Sequence, residues 1–199
     1  MLPSQQMESI GIRQDGDPIL RVPSQPFDLP QDRPEAESVI AQLTHVLWQA
    51  RELHEFAKGT GLAAPQIGIS RAVTVLTLRA GAEPFALINP EIVTEAPDQD
   101  EQFEGCLSFF DVRGKVTRSL RVEVRHSDLN GDLRHTTFEQ GDARLVAHEI
   151  DHLNGILYKD RMRPDEPLIS VAEYSGSGSP WPYPVRRRRT ARQFREREL

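Results

Sequence analysis

The feature that most constrains the fold of this chain is the order of its periodic segments: one helical, several extended, then one helical again. The first segment has apolar residues at three- and four-residue steps between Val39 and Ala57. This periodicity predicts an amphipathic helix that begins near residues 32–34 and stops at Gly59. Because helices and strands are grouped along the chain and do not alternate, the sequence predicts an α+β fold.

The extended segments occupy the middle of the chain, after a Pro-rich, turn-rich lead-in over residues 1–34. Residues 72–78 and 85–93 are rich in β-branched side chains and predict strands. The run TGLAAPQIG at residues 60–68 is interpreted as a loop of small residues. Asn130-Gly131 separates two further extended segments, and this dipeptide predicts a hairpin between them.

Composition and charge limit the classes of function. The chain has 199 residues, with 38% hydrophobic and 27% charged residues, which suits one water-soluble domain. Apolar runs fall short of the roughly 18 to 20 residues that a membrane span needs, so no membrane partner is expected. A net charge of -6 argues against a DNA-binding body. Cys106 is the single cysteine, which excludes an intrachain disulfide and fits a reducing, cytoplasmic compartment.

The end of the chain differs from the rest in composition. Residues 175–184 are rich in Ser, Gly and Pro, and residues 186–199 are strongly basic. These features predict a domain over residues 1–165 and a flexible linker with a basic tail over residues 166–199. The tail is either a solvated end or an anion-binding arm for RNA or the ribosome.

The second helical pattern, from about Asp142 to Gly155, contains the run AHEIDHLNG. Its spacing places His148 and His152 on one face of a helix, one turn apart, where they can hold a single metal ion. Glu149 points in a neighbouring direction, as a general base for a metal-activated water would. The alternative is a pair of chance histidines on a polar surface.

A catalytic metal usually has three protein ligands, so one ligand must come from elsewhere. No histidine follows His152, and the downstream carboxylates Glu166 and Glu173 lie in a segment of poor helical periodicity. Cys106, in EGCLSFF at a predicted loop-to-strand boundary, would complete a Cys/His/His set. The alternative interpretation is that Cys106 is a small buried apolar residue with no ligand role. Ligand type alone favours zinc.

Three motifs occur in one order: GTGLAAPQ at Gly59–Gln66, EGCLS at Glu104–Ser108 and HEIDH at His148–His152. Together with DPILR at residues 17–21 and GILYKDRM at residues 155–162, they resemble the peptide deformylase family over about residues 10–163. The resemblance implies small antiparallel or mixed sheets packed around a central metal-binding HExxH helix, with an N-terminal amphipathic helix. It also implies a cytoplasmic hydrolase that removes the formyl group from the N-terminal formyl-methionine of newly synthesised proteins.

The resemblance also implies a role for each site residue. One divalent metal is expected, natively Fe(II), with Ni(II) or Zn(II) able to take its place. Glu149 would act as general base and then general acid for water attacking the formyl carbon. The remaining roles are metal ligation by Cys106, His148 and His152, oxyanion stabilisation by the Gln66 side chain and the Leu107 backbone N–H, and binding of an extended peptide along Thr60, Gly61 and Gly105.

The chain also departs from the family pattern near these motifs. Phe109 and Phe110 replace a small apolar residue and proline, and Arg144 stands where an apolar pocket residue is common. These changes put the shape of the methionine pocket in question. Two alternatives remain, a zinc endopeptidase with a later third ligand and a non-catalytic binding module with the same fold.

Overall fold

A computed structural model of the protein describes residues 2–56, 59–79 and 82–176, which form two antiparallel sheets and four α-helices. The helices are α1 Pro3–Ser9, α2 Arg33–Leu53, α3 Gln140–Leu153 and α4 Val171–Gly176. The strands are β1 Thr60–Ala63, β2 Val73–Thr77, β3 Phe85–Glu95, β4 Gln99–Glu104, β5 Val112–Ser119, β6 Arg121–Ser127, β7 Leu133–Glu139 and β8 Ile169–Ser170. The predicted α+β class is confirmed.

The larger sheet has the strand order β1-β2-β3-β6-β7 and carries a helix on each face. Successive residues of a strand point to opposite faces. Val75 therefore packs with Leu43 and Leu47 of α2, whereas its neighbour Leu76 packs with Val146 of α3. The sheet thus separates two apolar clusters, and α2 covers one of them as its amphipathic pattern predicts.

The smaller sheet has the order β4-β5-β8 and lies on the other side of α3. Helix α3 contacts β5 of this sheet as well as all five strands of the larger one. Ten of the fourteen residues of α3 are buried, including both of its histidines. Because α3 is enclosed in this way, its polar side chains must find partners inside the protein.

Two features predicted from the residue pattern are confirmed. Strands β6 and β7 form a hairpin across Asn130-Gly131, with Ser127 opposite Leu133 and Gly131 at φ 88°. Helix α3 ends at Leu153, and Gly155 follows with φ 73°, a left-handed backbone that glycine adopts easily.

Three predictions of local structure are wrong. Helix α2 ends at Leu53 and not at Gly59, because the chain turns extended at His54, whose ring packs edge-on against Phe110 at 4.8 Å. Residues 60–63 form the strand β1 and not a loop, because they pair with β2. Part of the turn-rich lead-in is the helix α1. In each case tertiary contacts override the local pattern.

Residues 166–176, at the start of the predicted linker, are partly packed on the domain. Ser170 of β8 lies opposite Val112 of β5, and α4 follows directly. Residues 177–199, with the basic tail, lie outside the described residues, so the domain boundary and the linker stay predictions. Within the ranges described above, no helix is both long and apolar enough to span a membrane.

Candidate metal centre

The structure brings together the three residues that the sequence proposed as ligands. On α3, His148 and His152 lie one turn apart, with ring centroids separated by 5.0 Å. Cys106 lies just after β4 and caps a short 3-10 helix, Leu107–Phe109, rather than lying at a loop-to-strand boundary. Its Sγ is 3.2 Å from Nε2 of His152, and the ligand atoms of all three residues lie within 4.8 Å of one another.

The donor set suits a divalent transition metal. His148 uses Nδ1 to contact Oε2 of Glu104 at 2.9 Å, which leaves Nε2 for a metal. One thiol and two imidazoles are ligands that Zn and Fe accept in proteins. All three side chains are buried, so water does not compete strongly for these positions. The residues therefore fit one metal ion with room for a fourth, non-protein ligand.

Behind the histidines lies a buried ion network that the sequence did not reveal. Glu104 accepts hydrogen bonds from Nε and Nη2 of Arg118, at 2.7 and 3.0 Å, and from Nη1 of Arg144 at 2.7 Å. Arg118 also donates to Asp151 at 2.7 Å. Burial opposes the charge of Glu104, but Arg118 and His148 hold the pKa of its carboxyl well below the usual range.

Glu149 is buried on the same helix, beside the β1 edge of the larger sheet. A Cβ atom on Gly61 would come within 2.5 Å of its Cδ, so only glycine allows β1 to approach this carboxyl so closely. Burial raises the pKa of Glu149 to about 7. Among the described residues, no group hydrogen-bonds to its Oε2. Glu149 is thus a carboxyl that can take up and release a proton near neutral pH.

The amide of Gln66 has a defined orientation beside Cys106. Its Oε1 accepts a hydrogen bond from the backbone N–H of Ala63 at 2.8 Å, which directs Nε2 towards Sγ of Cys106 at 3.5 Å and Oγ of Ser108 at 3.1 Å. Leu107 is the first residue of its 3-10 helix, so its backbone N–H has no acceptor within that helix. Two N–H donors therefore flank the cysteine.

A cavity of about 570 Å³ opens beside this cluster. The three predicted peptide-binding residues, Thr60, Gly61 and Gly105, all line it. They lie at β1 and just beyond β4, and each of these strands is at the edge of its sheet. An edge strand leaves backbone groups that a peptide in extended conformation can pair with.

Aromatic and charged side chains also line the cavity, including several that sequence reasoning did not assign. Tyr174 of α4 lines it and packs edge-on against Phe103, with ring centroids 5.3 Å apart. Phe110 lines the cavity too, whereas Phe109 stacks on Tyr158 at 4.6 Å. The sequence feature that could have singled out Tyr174 is its place as an aromatic residue directly before the Ser/Gly-rich run.

A buried thiol and two imidazoles, with a carboxyl beside them in a peptide-sized cavity, define the class of metal-dependent hydrolases. The family model described as polypeptide deformylase matches residues 10–167, so the chain belongs to that family. Members of this family are metal-dependent enzymes that remove the N-formyl group from nascent peptides, and the predicted family and enzyme activity are confirmed.

Known relatives match most of the chain. It is 38% identical over 161 residues to a peptide deformylase of Thermotoga neapolitana, covering 79% of this chain and 90% of that protein. A crystal structure of the Thermotoga maritima peptide deformylase has 35% identity and a TM-score of 0.65, covering 77% of this chain and 97% of that one. The Met-Ala-Ser-bound enzyme of Acinetobacter baumannii is 30% identical with a TM-score of 0.65, covering 76% of this chain and 96% of that one.

Proposed function

We propose that this enzyme deformylates N-terminal formyl-methionine with Cys106, His148 and His152 as metal ligands and Glu149 as general base. The observation that carries the proposal is the convergence of these four side chains beside one cavity. A divalent ion held by the three ligands would supply a Lewis acid that makes water acidic at neutral pH.

Glu149 has the position and the proton affinity for two proton transfers. It would accept the proton of the water that attacks the formyl carbon, and then return it to the leaving amine. With no metal bound, its pKa of about 7 leaves neither protonation state strongly favoured at neutral pH. Positioned groups of this kind contribute roughly 10²- to 10⁴-fold in rate.

Gln66 and Leu107 would stabilise the negative charge that develops on the formyl oxygen. The orientation of the Gln66 amide supports this role, because its Oε1 is held by Ala63 and its N–H groups face the cysteine. Loss of one such donor typically costs about 3 to 4 kcal/mol of transition-state stabilisation.

The substrate would bind as an added strand between the edges of the two sheets. Thr60, Gly61 and Gly105 would offer backbone groups to the peptide, since they line the cavity at these edges. The Acinetobacter baumannii relative was crystallised with Met-Ala-Ser bound, and that peptide is the deformylated product of a three-residue substrate. This likeness supports formyl-Met-Ala-Ser as the substrate for a first assay.

Four finer points are part of the proposal. The native metal is Fe(II), with Ni(II) or Zn(II) accepted by the same ligands. The location is cytoplasmic. Residues 1–165 form the catalytic domain.

Residues 186–199, with seven arginines and two glutamates, increase encounter with the ribosome through charge. Comparing ribosome pelleting of the full chain and of a chain ending at Gly176 tests the last point, and equal pelleting would refute it.

The test of the function is formate release from formyl-Met-Ala-Ser by protein loaded anaerobically with Fe(II) or Ni(II). We expect rapid release by the wild type. The matched variant Glu149→Gln should retain the metal and lose roughly 10²- to 10⁴-fold in kcat. A wild type with one metal per chain that releases no formate would contradict deformylation. Equal rates for the two proteins would contradict the role of Glu149 alone.

A further inference from the structure

Arg144 is a buried cation that no part of the proposed reaction uses. It lies one turn before His148 on α3 and is 4% exposed. Its guanidinium donates to Oε1 of Glu104 at 2.7 Å, to the carbonyl of Val116 at 2.9 Å, and to the carbonyl and Oδ1 of Asp100 at 3.0 and 2.8 Å. One side chain therefore connects α3 to both β4 and β5.

Glu104 is the point at which Arg144 reaches the metal site. The Oε1 atom of Glu104 accepts from both Arg118 and Arg144, while Oε2 accepts from Arg118 and contacts Nδ1 of His148. Two guanidinium groups thus approach one carboxylate from different elements, β5 and α3. Because a planar carboxylate held at both oxygens cannot rotate freely, its lone pairs point in fixed directions. The orientation of the His148 ring follows from the orientation of this carboxylate.

The contacts of Arg144 differ from those of the other arginine at the edge of the network. Arg161 pairs with Asp151 at 2.7 Å, has a side chain 47% exposed and, among the described residues, does not hydrogen-bond to Glu104. Asp100 accepts from Nη2 of Arg144, whereas Glu104 accepts from Nη1. Substitution of Arg144 therefore removes a hydrogen bond to Glu104, whereas substitution of Asp100 or Arg161 removes a neighbouring contact and leaves that hydrogen bond in place.

We propose that Arg144 is a positioning residue of the metal centre. It fixes the Glu104 carboxylate and, through it, the ring of His148. The inference rests on the proposed ligand role of His148. Partners behind a metal-bound histidine typically change metal affinity by about 10- to 100-fold when they are removed. Arg144→Met should therefore weaken metal binding by a factor in that range.

The test measures binding of Zn(II) alone, by competition with a chromophoric chelator under anaerobic conditions. Three variants are compared with the wild type: Arg144→Met, Asp100→Asn and Arg161→Met. We expect Arg144→Met to raise the Kd for Zn(II) about 10- to 100-fold. Asp100→Asn and Arg161→Met should stay within about threefold of the wild type, because both variants keep the hydrogen bond from Nη1 of Arg144 to Glu104. The absorption spectrum of the Co(II)-loaded proteins should change only in Arg144→Met.

A Kd of Arg144→Met within twofold of the wild type would overturn the inference. An equal loss in Asp100→Asn would also overturn it, because anchoring of β4 would then explain the effect. As a control, urea unfolding of each metal-free variant is measured, and a cooperative transition shows that the variant is folded. If Arg144→Met does not fold, Arg144→Gln is measured in its place with the same two outcomes. These readouts need no turnover, so a protein that binds Zn(II) but releases no formate when loaded with Fe(II) or Ni(II) would contradict the proposed function and leave this test valid.

Discussion

Replacing Glu149 by glutamine should stabilise the metal-free protein at alkaline pH while removing its activity. The side chain is 3% exposed, and burial raises the pKa of its carboxyl from 4.5 to about 7. A protein that buries a carboxylate without an ionic partner loses stability when that carboxyl ionises. Glutamine has the same shape and no charge, so it avoids this loss.

The size and sign of the effect follow from the two pKa values. The difference between about 7 in the folded protein and 4.5 in the unfolded chain corresponds to about 3 kcal/mol. Because the folded pKa is raised, this stability is fully present below the unfolded pKa and is lost as the pH rises through the folded one. Between pH 5 and pH 8 the wild type should therefore lose about 2 to 3 kcal/mol relative to Glu149→Gln.

The assay is urea unfolding of both proteins at pH 5, 6, 7 and 8, after metal removal and with a reductant to keep Cys106 reduced. Other ionisable groups are common to the two proteins, so the difference in unfolding free energy isolates position 149. A difference that does not change between pH 5 and pH 8 would show that the pKa of Glu149 is not raised in the folded protein. So would a difference that changes in the opposite direction.

Three further perturbations test other parts of the site. Gly61→Ala places a Cβ within 2.5 Å of the Glu149 carboxyl, so we expect at least a tenfold fall in kcat/KM and about 1 to 3 kcal/mol of destabilisation, measured by steady-state kinetics and urea unfolding. Cys106→Ser removes the thiolate donor and should weaken Zn(II) binding by at least tenfold in a chelator competition; unchanged binding would exclude Cys106 as a ligand. Tyr174→Ala should raise KM for a formylated tripeptide while Tyr174→Phe should not, because the ring forms part of the cavity wall; equal KM values would show that α4 has no part in binding.

Local spacing was enough to predict the two main helices and the hairpin. The apolar face of α2 and the inward face of α3 follow from steps of three and four residues, because these steps match the helical period. The end of α2 was mispredicted, since the contact between His54 and Phe110 joins residues far apart in the chain. Strand β1 was missed for a similar reason, as its small residues favour a strand only when β2 is beside them.

The candidate site also has one part that the sequence predicted and another part that it did not. Spacing alone put His148 and His152 on one helical face and Glu149 beside them, and the motif order indicated the family. The ion network around Glu104 carried no such signal. Its members come from three elements, Glu104 from β4, Arg118 from β5, and Arg144 and Asp151 from α3, and arginine and aspartate are common on protein surfaces.

By itself, the sequence indicated the family and the candidate residues for the chemistry, and it determined which two main segments become helices, because motifs and helical periodicity are both properties of order along the chain. Only the tertiary structure decided how Cys106 comes to lie 3.2 Å from His152, a residue 46 positions later. It also decided that the pKa values of two buried carboxyls move in opposite directions: Glu104 meets two arginines, of which Arg118 lowers its pKa against the effect of burial, whereas burial beside Gly61 raises the pKa of Glu149. The physical reason is that pKa values and metal geometry depend on distances between groups, and packing sets these distances.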